Sequence, residues 1–176
     1  DLLRLKNFGK KTLKLLSEFG SGHYGIKNNI TDEDGPSKIA EDIQKNFSDI
    51  DIVVNNAGHT LNVTDPYCDI SDWRKVFRLN LEITIEINNI FLPHMKTQDW
   101  GRIVNITSGA GLENSGPVTF SASKAALTAY SRSMGRVLAI ETSNVVMTAV
   151  SPGIVITEEG HWQKVLKERP KHAQKY

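Results

Sequence analysis

Three side chains within one stretch of this sequence have the types and spacing for chemistry. Ser108 follows an apolar, β-branched run (Ile103, Val104, Ile106) that reads as a buried strand. A Gly-rich loop comes next, and then a helix pattern opening near Phe120. Phe120 and Lys124 are four residues apart, so they share one helical face. The arrangement would gather a hydroxyl, an aromatic ring and an ammonium round one reacting group.

Composition bounds what such a site could serve. The chain has 176 residues, 39% of them apolar and 23% charged, enough for one domain with its own core. A formal net charge of +1 gives no global electrostatic case for nucleic acid or a membrane surface. The basic clusters near the two ends (Lys10, Lys11, Lys14; Lys164, Lys167, Arg169, Lys171, Lys175) read as solvated faces. Cys68 is the only cysteine, which excludes an internal disulfide and agrees with a reducing, cytoplasmic setting. No apolar run is long enough to span a bilayer, no signal peptide is recognisable, and the five histidines show no metal-ligand spacing.

The elements that must position the site alternate. Residues 1–20 read as a helix with Leu13, Leu15, Leu16 and Phe19 on its apolar stripe, and Gly20 as its cap. Gly20 to Gly25 matches G-x-G-x-x-G but follows a helix and leads into a strand-like run, Tyr24 to Asn28. A phosphate cradle needs the opposite order, so the match is rejected. A helix from Pro36 to Phe47 leads to the strand Ile50–Val54, which ends at Asn55-Asn56-Ala57-Gly58. A long helix over 71–95, stopped by Pro93 and His94, is apolar on more than one side. The helix over 120–140 follows the Ser108 loop, and a strand at 145–150 ends in Ser151-Pro152-Gly153. Weak helical periodicity from Thr157 is broken at Pro170. The alternation predicts an α/β class: a Rossmann-like, doubly wound parallel sheet with helices on both faces. Asn56, Ser108 and Pro152-Gly153 each sit just past a strand's carboxyl end, the rim where such sheets bind ligands.

Singly, these motifs have ordinary explanations: a strand-end turn, a loop serine, a surface lysine, an asparagine satisfying core backbone, a core aromatic. Jointly, NNAG at 55–58, Asn80, Ser108, F-S-A-S-K at 120–124 and SPG at 151–153 resemble the short-chain dehydrogenase/reductase family, in particular its 3-oxoacyl-reductase-like members, over nearly the whole chain. The resemblance implies an NAD(P)-dependent oxidoreductase that interconverts an alcohol and a carbonyl on a small organic substrate. It implies that Asn56, Ala57 and Gly58 line the adenosine side of NAD or NADP. Asn80 would kink its helix and hold a water against the lysine, and Ser108 would bond the substrate oxygen. Lys124 would grip the nicotinamide ribose and lower the pKa of a neighbouring phenol, while Pro152, Gly153, Ile154 and Thr157 would pack on the nicotinamide. Residues 157–176 would form the substrate lid, and the helices over 71–95 and 120–140 would join a homodimer or homotetramer.

The sequence departs from that family in two places. Phe120 stands where the family has tyrosine, and a phenyl ring can neither give nor take a proton. The family's first strand with its Gly-rich turn, and its last strand, are not found, so the domain reads as incomplete at both ends. These departures support an alternative: an inactive family member that binds cofactor or builds an oligomer.

Overall fold

The computed structural model describes residues 11–47, 49–113, 115–156 and 161–173. Its centre is a three-stranded parallel sheet in the order β1-β2-β3. The strands are β1 (Ile52–Asn55), β2 (Gly101–Ile106) and β3 (Val145–Val150). Helix α1 (Gly35–Asn46) precedes β1. Between β1 and β2 run α2 (Ile70–Phe77), a π-helical turn (Arg78–Glu82) and α3 (Ile83–Thr97). Between β2 and β3 lie α4 (Ala110–Glu113) and α5 (Val118–Glu141), and the chain continues into α6 (His161–Glu168) and α7 (Pro170–Ala173).

Register decides what the strand ends can do. Asn55 pairs with Asn105, and Ile106 pairs with Val150. All three strands therefore release their following loops, at 56–58, 107–109 and 151–153, from one edge. That places the three sequence motifs together as the spacing predicts.

One face of the sheet makes the core. Val53, Ile103, Val145 and Met147 pack with Ala40 of α1, Ile83, Ile87, Phe91, Leu92 and Met95 of α3, and Leu138 of α5. Gly135 brings α5 close to β3: a Cβ there would stand 3.1 Å from the Met147 carbonyl oxygen. On the alternate positions of the strands, Ile52 and Val54 are 57% and 59% exposed, and Val146 and Val150 are exposed as well. The described helices α1, α3 and α5 thus contribute to the core on one face of the sheet, and these apolar side chains of the other face meet solvent.

Three sequence expectations need correcting. Tyr24–Asn28 forms no strand; it is irregular chain, with Tyr24 half exposed and stacked edge-on against Phe47. Pro93 does not stop the long helix, which runs on to Thr97. The Thr97 hydroxyl instead takes up the Pro93 carbonyl. Pro170 does not simply end the tail helix, because it opens α7, where a first-turn proline lacks only an N–H that needs no partner. Of the expected N-terminal helix, residues 11–16 are helical; residues 1–10 lie outside the described ones.

Candidate active site

Lys124 is the centre of the site. It sits in the second turn of α5, is only 4% exposed, and donates from Nζ to the Ile106 carbonyl oxygen at 2.9 Å. That carbonyl belongs to the last residue of β2, two positions before Ser108. Gly58, in the loop after β1, closes the other side. A Cβ at Gly58 would lie 2.8 Å from Lys124 Nζ and 3.0 Å from Asn80 Oδ1. Only a glycine lets the β1 loop, the amine and the amide meet this closely. The Phe120 ring centroid is 5.8 Å from Nζ, one turn back on α5.

Asn80 lies in the π-helical turn, fully buried. Its amide clasps the backbone of His59 at two points, accepting from the N–H (3.2 Å) and donating to the C=O (2.9 Å). A second N–H goes to the Val76 carbonyl at 2.8 Å, which the widened turn leaves accessible. The neighbouring Arg78 braces the turn from outside, paired with Glu86 and reaching the Thr31 and Asp32 carbonyls.

The Ser108 loop and the Ser-Pro-Gly turn are stitched together. Thr107 N–H and hydroxyl both donate to the Val150 carbonyl, and Gly109 N–H donates to the Pro152 carbonyl at 2.9 Å. Ser108 Oγ accepts from Ala110 N–H at 3.2 Å, so the hydroxyl opens α4 while keeping its own hydrogen for another acceptor. Gly111 lets α4 lie directly on α5 beside the lysine: a Cβ there would be 2.6 Å from the Ala125 nitrogen and 2.8 Å from the Lys124 carbonyl carbon. Asn56, Ala57, Gly153 and Ile154 are exposed at the rim. Thr157 lies outside the described residues.

Sequence reasoning missed the polar layer beneath this rim. Asn55 Nδ2 donates to Asn88 Oδ1 (2.8 Å) and Asn105 Oδ1 (2.9 Å), and Asn105 donates to Ser131 Oγ (2.9 Å). Ser131 passes its hydrogen to the Leu127 carbonyl, and Asn88 contacts the Tyr130 hydroxyl. These bonds join β1, α3, β2 and α5. The available signal was an asparagine interrupting each of two apolar runs, at Asn88 and Asn105.

Burial without an acidic partner governs the lysine. Among the described residues no carboxylate forms an ion pair with Nζ, and desolvation pulls its pKa down from 10.5 to about 8. Folding then works against the charged form. Below pH 8 both folded and unfolded chains are protonated and the cost is full. Between about 8 and 10.5 the unfolded chain holds a proton the folded one has lost, so stability rises with pH. The depression corresponds to about 3 kcal/mol. Lys124→Met, which also loses the Ile106 hydrogen bond at about 1 kcal/mol, should stabilise the chain by about 2 kcal/mol at pH 7. Urea denaturation of both proteins at pH 7 and pH 10 should find that gain at the lower pH and much less at the higher.

A parallel α/β sheet that gathers a lysine, an asparagine, a serine loop and a glycine turn at one rim belongs to the open α/β class, whose ligands bind beyond the carboxyl ends of the strands. Residues 3–165 match the family model of short chain dehydrogenases. The chain belongs to the short-chain dehydrogenase family. It is 35% identical to the 3-oxoacyl-[acyl-carrier-protein] reductase FabG of Aquifex aeolicus, covering 82% of this chain and 58% of the relative. The corresponding reductase of Thermotoga maritima is 32% identical over 73% of this chain and 52% of that one. A solved putative short-chain dehydrogenase/reductase from Burkholderia xenovorans superposes with a TM-score of 0.77 at 26% identity, over 92% of this chain and 63% of that one. The chain spans somewhat over half the length of the curated relatives it matches.

Proposed function

We propose that this chain carries the catalytic half of an NAD(P)-dependent oxidoreductase that interconverts an alcohol and a carbonyl on a small organic substrate. The observation that carries the reading is Lys124 Nζ, buried beside Gly58 and Asn80 and bonded to the carbonyl that precedes the Ser108 loop. The residues fit a nicotinamide dinucleotide. An ammonium has three N–H donors and one is used on Ile106, which leaves two for a ribose diol. Asn56, Ala57 and Gly58 offer exposed backbone on the same side.

The dinucleotide supplies the hydride when bound. The chain's own residues hold and polarise. Ser108 donates its hydroxyl hydrogen to the substrate oxygen, and Lys124 holds the ribose through its two remaining N–H groups. Asn80 fixes the β1 loop by its two-point clasp of His59, and Pro152, Gly153 and Ile154 would flank the nicotinamide. The similarity to 3-oxoacyl-[acyl-carrier-protein] reductases makes a 3-oxoacyl compound the first carbonyl to try. Lone Cys68 fits a cytoplasmic setting.

Titration of NADH and NADPH by calorimetry should give saturable binding of at least one, with oxidation of that nucleotide when a ketone or 3-oxoacyl thioester is added. The second reading, an inactive family member that acts as cofactor binder or oligomer builder, draws on one observation: Phe120 has no hydroxyl. Helix α5 presents Val137 and Ile140 to solvent, which suits self-association through the helices over 71–95 and 120–140. Light scattering that finds a dimer or tetramer, with no response to either dinucleotide, would leave the oligomer-building role in place of the enzyme.

A further inference from the structure

We infer that Arg78 is a positioning residue: it holds the π-helical turn open and, through Asn80, sets the Gly58–His59 loop against the lysine. This deepens the proposed oxidoreductase reading and rests on it for what the pocket binds.

The guanidinium of Arg78 is spent in three directions. Nη1 and Nη2 both meet the Glu86 carboxylate of α3. Nε donates to the Thr31 carbonyl at 3.4 Å, and Nη2 to the Asp32 carbonyl at 3.1 Å. No other hydrogen bond among the described residues joins the 28–35 segment to the π-helical turn. An ion pair alone would leave those carbonyls untouched, and a lysine lacks the planar fork that reaches them together with a carboxylate.

The anchor that Arg78 grips is itself firmly stitched. Asn28 Nδ2 donates to the Gly35 carbonyl (3.0 Å), while Asn29 donates to Asp32 Oδ1 (2.6 Å) and accepts from the Thr31 hydroxyl (2.8 Å). Gly35 closes the segment so tightly that a Cβ there would stand 2.6 Å from the Asn29 carbonyl oxygen.

What the brace resists is a change of winding. The turn Arg78–Glu82 interrupts a path that is α-helical on both sides, over Ile70–Phe77 and Ile83–Thr97. Successive residues of an α-helix point about 100° apart, so rewinding the wide turn would swing Asn80 off the His59 backbone. The Val76 carbonyl, now held by Asn80, would return to the helix ladder. His59 and Gly58 would then be released from Nζ, and water would reach the amine.

That hydration can be read on the lysine. Burial holds Lys124 at about 8, and rehydration favours its charged form. The titratable side chains on the segments that touch it are His59 beyond Gly58, Glu113 on α4 beyond Gly111, and Arg78 and Glu82 in the π-helical turn. None forms an ion pair with Nζ.

In the chain without nucleotide, with lysines labelled at Cε, the NMR signal absent from Lys124→Arg should titrate near pH 8. In Arg78→Met it should titrate about one pH unit higher or more, a tenfold change in proton affinity. Deleting a cation would raise the midpoint by charge alone, so Glu86→Ala is the deciding variant, and it serves also if Arg78→Met fails to fold. Losing that carboxylate lowers the midpoint by charge alone, whereas loosening the brace raises it. Leu92→Ala, a core deletion on the same helix, should weaken the fold and leave the midpoint in place. A midpoint unmoved or lowered in Glu86→Ala, or raised as far in Leu92→Ala, overturns the proposal. In calorimetry, Arg78→Met and Glu86→Ala should lose on the order of tenfold in affinity for whichever of NADH and NADPH the parent binds. Unchanged affinity in both variants overturns the positioning role. Failure of the parent to bind either nucleotide sinks the oxidoreductase reading, while the NMR midpoints still judge the brace.

Discussion

Replacing Phe120 with tyrosine should raise the rate of carbonyl reduction on the order of 10²-fold, with little change in dinucleotide affinity. General acid help contributes roughly 10²- to 10⁴-fold. The lower end applies because Ser108 already offers a hydroxyl hydrogen to the same oxygen. The ring is only partly buried, which leaves room for an added hydroxyl. A phenol near pKa 10 becomes a usable acid when a cation stands close. The ammonium is 5.8 Å from the centre of this ring. Initial rates of NADH and NADPH oxidation with a ketone panel, for both proteins, decide the matter. An unchanged rate would show that position 120 does not face the reacting oxygen.

Gly111→Ala should destabilise the chain by about 2 kcal/mol and disturb the lysine at the same time. Two effects compete here. Alanine in place of glycine within a helix gains up to about 1 kcal/mol in propensity. Against that, the new Cβ would be driven to 2.6 Å from a backbone nitrogen and 2.8 Å from a backbone carbonyl carbon of α5. Backbone of a 24-residue helix cannot step aside as a side chain can, and overpacking of this kind costs about 1–3 kcal/mol or more. The steric term wins, and relief requires α4 to lift from the Lys124 turn. Gly109→Ala is the control. Its Cβ would meet the Pro152 oxygen at 3.4 Å, an ordinary contact, so its midpoint should move by less than about 0.5 kcal/mol. Equal destabilisation in urea by both variants would refute the account.

The parts that sequence conveyed best were those written in apolar periodicity. The strand at 145–150 and the helices after Pro36 and near Phe120 fall within a few residues of their expected bounds, because burial on a fixed period leaves few choices. Local signals did worse. Tyr24–Asn28 has strand-like residues but finds no partner strand among the described residues, and a strand is a tertiary fact before it is a local one. Pro93 breaks helices in isolation, yet α3 is held on both sides of it by Leu92 and Met95 in the core. At the site, residue types on strand ends pointed to Asn56, Ser108 and Pro152-Gly153, helical spacing paired Phe120 with Lys124, and Asn80 came with the family resemblance. The tightness of Gly111 against α5 and the Asn55–Asn88–Asn105 layer depend on distances that no linear pattern carries.

That asparagine layer has a consequence for how the strands align. Val53-Val54 and Ile103-Val104 are greasy on both sides, so apolar preference alone hardly distinguishes the native pairing from one shifted by a single residue. A shift would swing Asn105 away from Ser131 and Asn55 away from Asn88, stranding amides without mates. The cross-links therefore act as an alignment key, chosen by polarity where hydrophobicity is indifferent. The loops bearing Gly58 and Ser108 leave the sheet level with each other because only one threading satisfies every amide.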